Sequence, residues 1–82
     1  MRQSLSTIQP GTSVCISGIQ DSALKPKLME MGLLRGKELK VLFKAPFGDP
    51  IAIEAQGFVL SLRLDEANLI EVESPLFTAV PA

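Results

Sequence analysis

Short stretches in which apolar and polar residues alternate recur along this chain, and turn residues or a brief break in the pattern end each one within a few residues. They are "SVCISGI", "KELKVLFK", "IAIEA", "FVLSLRL" and "LIEVE". Alternation of period two places one side-chain set on a buried face and the other in water, the pattern of a half-exposed antiparallel strand. Short strands of this kind are expected to pair antiparallel. With 82 residues, the chain has length for one core and not for two.

One segment breaks the alternation. In "LKPKLMEM", Leu24, Leu28 and Met31 fall at i, i+4 and i+7, which is one face of a helix. Pro26 is tolerated only in a helix's first turn, so the helix is expected to start near Lys25, with Asp21 and Ser22 as capping residues before it. Gly32 then supplies a left-handed cap. So short a helix is marginal alone and is expected to be held by docking Leu28 and Met31 on the strands.

In the strand that follows, Leu39, Val41 and Phe43 are expected to face one way, with Lys40 and Lys44 facing the other. "APFGDP" reads as a hairpin connection and "QG" as a tight turn. Phe58, Leu60 and Leu62 are expected on one side of the next strand, "DEANL" as a single helical turn, and Ile70 and Val72 inward in the last. The expected fold is mainly β: a small closed barrel of about five antiparallel strands with one short inserted α-helix. Residues 1–73 form a single domain, and 74–82, with two prolines, form a flexible C-terminal tail.

Composition narrows the function. One Cys permits no internal disulfide and fits a reducing compartment, so the cytoplasm is expected. The first residues lack the continuous apolar core of a secretory signal, and no apolar run approaches the ~20 residues of a membrane span, so direct membrane insertion is not expected. A net charge of −1 removes the electrostatic footprint of nucleic-acid binding. The charges are nonetheless segregated along the chain. Lys25, Lys27, Arg35, Lys37, Lys40 and Lys44 occupy its middle, and Asp65, Glu66, Glu71 and Glu73 its end, as though one basic and one acidic side were presented.

Catalytic chemistry is missing. With no His and a lone Cys15, neither a Cys/His pair nor an N/S metal cluster can be assembled. Asp49, Glu54, Asp65 and Glu66 read as solvated acids and not as an oxygen-ligand site. No phosphate-binding loop motif is present, so nucleotide hydrolysis would belong to a partner. Without Trp or Tyr the chain lacks the aromatic groove of a polyproline-binding domain, and its four Phe residues are expected mainly at core-facing or loop positions. No enzyme activity and no cofactor are expected.

Three separated motifs in order, "LMEMGLLRGKELKV", "APFGDPIAIE" and "LSLRLDEANLIEV", closely resemble the FeoA family. The resemblance runs from about Leu5 to Glu73. It implies an SH3-like β-barrel in a small cytosolic bacterial protein that accompanies the FeoB ferrous-iron transporter. The partner it implies is the cytosolic part of such a transporter, which would recruit the chain to the inner face of the membrane. The same barrel ends the iron-dependent DtxR-type repressors, so a metal-responsive regulatory module is the alternative. A third reading is weak self-association through the charged sides or the tail.

A binding role needs a surface. The expected contact is the helix and its exit, Lys25, Lys27, Met29, Gly32, Leu33, Leu34 and Arg35, with Phe47 from the hairpin loop. Met29 lies opposite the Leu28 and Met31 face and is either an adaptable exposed contact or an addition to the core. Of the adjacent Leu33 and Leu34, at most one can point fully inward. Phe47 either folds back over the barrel end or stands out as an anchor.

Overall fold

The computed structural model describes residues 3–74. Six antiparallel strands form one sheet: β1 (Gln3–Ser4), β2 (Ser13–Ile19), β3 (Glu38–Lys44), β4 (Ile51–Ala55), β5 (Phe58–Leu62) and β6 (Ile70–Glu73). A 3-10 turn (Leu5–Thr7) follows β1, helix α1 (Lys25–Glu30) lies between β2 and β3, and helix α2 (Leu64–Leu69) between β5 and β6. The spatial order is β1-β6-β2-β3-β4-β5.

The expectation of a closed barrel is therefore corrected. The strand order matches an SH3-like topology, but β1 and β5 remain edges and do not pair with each other. The reason lies in the first strand. Among the described residues β1 contributes Gln3 and Ser4, paired with Val72 and Glu71 of β6, before the chain tightens into the 3-10 turn. Two residues make too short a ladder to carry the sheet round to β5. Instead the 3-10 turn packs on α2, where Ser4 and Ser6 donate to Asn68 and Lys44 Nζ donates to the Ser6 carbonyl at 2.8 Å. The DEANL segment is a defined helix and not a single turn, giving two α-helices where one was expected.

Fourteen residues make one core cluster, in which Leu5, Leu28, Val41, Ile51, Ile53, Leu62, Ile70 and Val72 lose all contact with solvent. Most of the alternation expected of the strands is present, and two bulges break it. Val41 pairs with Ile53 and Phe43 with the next residue, Ala52, so Leu42 is an extra residue in β3. One inserted residue turns everything after it to the opposite face. Phe43, expected inward, is consequently 59% exposed. A second register shift falls between Ile16 and Gly18 of β2.

Phe58 is also exposed, at 70%, although it shares a face with Leu60 and Leu62, because it stands at the hairpin end beyond the core. Phe43 and Phe58 are thus both open on strands, against the expectation that the Phe residues occupy mainly core-facing or loop positions.

The β4–β5 turn is Gln56-Gly57 with φ of 55° and 85°, the mirror-image turn that suits two-residue hairpins. Gln56 is a poor fit to a positive φ, which Asn adopts more readily. Gln56→Asn is expected to raise the melting temperature by a few degrees, roughly 0.5 kcal/mol; an unchanged or lower value in calorimetry would contradict this turn assignment.

A groove between the first helix and the bulged strand

Helix α1 begins where Pro26 requires and is entered from Leu24, whose N–H is accepted by Ser22 Oγ at 3.0 Å. Its exit follows from the sequence "MGLL". Gly32 takes φ +91°, its N–H bonds to the Met29 carbonyl, and the Leu33 N–H bonds back to the Leu28 carbonyl. These two bonds define a Schellman cap, whose usual accompaniment is an apolar contact between the first and last residues bonded. Leu28 and Leu33 are both buried, at 0% and 1%. The alternative at Leu33 and Leu34 is thereby resolved, since capping draws Leu33 inward and leaves Leu34 39% exposed.

After Leu34 the chain turns back, with the Lys37 N–H on the Leu34 carbonyl. The Gly36 N–H then bonds to the Ile16 carbonyl, and the Ile16 N–H to the Lys37 carbonyl, both at 2.8 Å. β3 pairs with β2 only from Ser13 to Cys15. Beyond that stretch and the bonds at Ile16, the bulged segment Ser17–Ile19 forms the wall of a groove opposite α1.

The groove, of about 280 Å³, is lined by Ser17, Gly18, Ile19, Lys25, Met29, Leu33, Leu34 and Arg35. Met29 is 44% exposed, so it is a groove contact and not a core residue. Ser17 Oγ is buried and has no hydrogen-bond partner among the described residues.

Five of the expected contact residues meet at this groove. Lys27, Gly32 and Phe47 do not line it. Lys27 is spent elsewhere, donating to Glu66 Oε2 at 2.8 Å across to α2. Phe47 stands in the β3–β4 loop, 94% exposed, so it does not fold back over the sheet. Gly32 serves the cap. Three residues that line the groove, Ser17, Gly18 and Ile19, are not among the expected contact residues. The one signal for them in the sequence is Gly18, which marks a bend but not what faces it.

Glu66, expected among the solvated acids, is buried, at 4% exposure. Besides Lys27 it accepts the Arg63 N–H at 2.9 Å, satisfying the start of α2. The Lys27 hydrogen bond, and after it the Arg63 N–H, hold its carboxyl below the usual carboxylate range, against the opposing effect of burial. The basic middle and the acidic end of the chain thus meet at this ion pair.

Cys15 lies between Glu38 and Glu73 in the register of its two neighbouring strands. Burial first, then these two carboxylates, push its thiol up, which disfavours the reactive thiolate. Among the described residues no group of three or more His, Cys, Asp or Glu is placed to hold a metal ion, and no helix is long and apolar enough to cross a membrane.

The structure is an open antiparallel sheet with an SH3-like strand order, beside whose first helix lies a groove of mixed apolar and basic lining. The FeoA domain model matches residues 3–74, and the chain belongs to the FeoA family, whose members are non-catalytic accessory modules. An FeoA-like protein from Clostridium acetobutylicum is 39% identical, with a TM-score of 0.84 over 90% of this chain and 87% of that one. A manganese-dependent transcriptional repressor in complex with manganese has a TM-score of 0.83 at 21% identity, covering 89% of this chain and 36% of that one, which shows a shared fold alone. An Fe(2+) transport protein A/Fe(2+) transporter FeoB fusion protein of Porphyromonas gingivalis is 31% identical over 70 residues, 84% of this chain. The chain spans 8% of the length of that fusion protein. The tail expected over 74–82 lies, from residue 75 on, outside the described residues.

Proposed function

We propose that this chain is a cytosolic accessory protein of ferrous-iron uptake that docks through the α1–β2 groove on the cytosolic part of a FeoB-type transporter, which brings it to the inner face of the membrane. The groove carries the reading. Met29 and Leu34 offer exposed apolar contact, and beside them stand Arg35 and Lys25, whose Nζ also donates to the exposed Asp21 at 3.2 Å. The fusion protein of Porphyromonas gingivalis supports the choice of partner, because in its name the two activities belong to one polypeptide.

Any effect on transport must come from preferring one conformation of the transporter over another, since a ligand that binds both equally shifts nothing. Chemistry at bound nucleotide stays with the transporter. The test is ferrous-iron uptake in cells lacking the gene, complemented with the wild-type chain or with Met29→Glu. Wild type is expected to restore uptake, and the variant, still folded by circular dichroism, to leave it near the deletion level. Full restoration by Met29→Glu would remove the groove from the account, and unchanged uptake on deletion would remove the transporter.

A further inference from the structure

The open sheet leaves β5 (Phe58–Leu62) as an edge, and its sequence "FVLSL" contains no charge, no proline and no bulge against β4. Those are the devices by which edge strands are ordinarily kept from pairing with other strands. Phe58 and Val59 are moreover 70% and 66% exposed.

The hairpin fixes which backbone groups are open. In a two-residue hairpin the residues flanking the turn, Ala55 and Phe58, form a hydrogen-bonded pair, and the alternation of an antiparallel ladder repeats this at every second residue. Phe58, Leu60 and Leu62 therefore spend their N–H and C=O on Ala55, Ile53 and Ile51, whereas those of Val59 and Ser61 point away from the sheet. The free row ends at Arg63, whose N–H is held by Glu66.

From this arrangement we infer that β5 pairs antiparallel with β5 of a second copy, about a two-fold axis at Leu60. In that register Val59 and Ser61 of one copy exchange both pairs of backbone hydrogen bonds with Ser61 and Val59 of the other. Leu60 meets its own copy as a non-hydrogen-bonded pair, and Phe58 lies opposite Leu62. No charged side chain faces a like charge, because Arg63 of each copy falls at the far end from its equivalent. A two-fold pair sets one uncharged, unbulged edge against another and opposes no like charges, which favours a second copy as the occupant. The contact is short, so the dimer is weak and concentration-dependent.

Sedimentation equilibrium of the full chain tests it, with cross-linking fixing the register. The apparent mass of wild type is expected to rise toward twice that of the monomer with concentration, and Val59→Lys, which sets two lysines near each other on one face, to abolish the rise. In a Cys15→Ser background, Leu60→Cys is expected to form a disulfide dimer under a mild oxidant at least about tenfold faster than Ser61→Cys, because non-hydrogen-bonded pairs bring Cα atoms to ~4.5 Å, within disulfide range. Wild type that remains monomeric throughout, a dimer indifferent to Val59→Lys, or equal cross-linking of the two cysteine variants would overturn the inference. A monomer whose binding to the transporter's cytosolic part is lost on Val59→Lys would also overturn it, and would assign the edge to a strand of the transporter.

Discussion

Leu28→Ala is expected to destabilise the protein by about 2–5 kcal/mol, the range for truncating a fully buried leucine. The upper half of that range is favoured by what the side chain does. Leu28 belongs to the sheet's core cluster and is also the residue on which the Schellman cap closes, through Leu33. A helix of six residues has no stability of its own, so loosening this anchor frees the whole segment from Lys25 to Glu30. Against a total stability of about 5–15 kcal/mol for a typical domain, the loss is large. Urea titration should show a lowered midpoint with the slope retained. The Met29 and Lys25 side of the groove should then lose its partner even where the sheet still stands. A cost below about 1 kcal/mol, outside the range for buried leucine, would mean that α1 is not docked through Leu28.

Glu66→Ala is expected to cost about 1–3 kcal/mol, because it removes a buried acceptor and leaves the Arg63 N–H at the start of α2 without its partner. The ion pair itself contributes less than its 2.8 Å length implies, since the Lys27 side chain is 58% exposed and solvent screens it. Glu66→Gln keeps an acceptor and should be milder. The pH dependence has a definite sign. The folded state holds this carboxyl below its ordinary value, so the contribution is complete above the unfolded pKa of ~4.3 and is lost as pH falls through the folded one. Stability of wild type should therefore fall more steeply below about pH 5 than that of Glu66→Gln. Parallel acid limbs for the two proteins would show that Glu66 titrates as an ordinary surface acid.

The sequence predicts α1 to within a residue, because Pro26 and Gly32 admit few placements. It also indicates which strands pair in hairpins, because "QG" and "FGDP" can do little else. Closure of the sheet is not legible, since it depends on how many residues β1 can spend before Leu5 enters the core. Bulges are equally hidden. Leu42 and Phe43 are both apolar, so the pattern accommodates either face, and only the pairing with Ile53 and Ala52 decides.

The site was half legible for the same reason. Helix residues Lys25 and Met29 follow from α1's period, whereas Ser17 reaches the groove through a register shift that no local pattern announces. Glu66 was missed because its partner, Lys27, is 39 residues away. The capping position three residues after Arg63 was the one clue to its burial.

Titration of the purified chain into the cytosolic part of a FeoB-type transporter, followed by calorimetry, decides whether the groove is the docking site. Wild type and Val59→Lys are predicted to bind alike, with Met29→Glu weaker by at least about tenfold, or ~1.4 kcal/mol. Undiminished binding by a folded Met29→Glu would contradict the groove as the docking site.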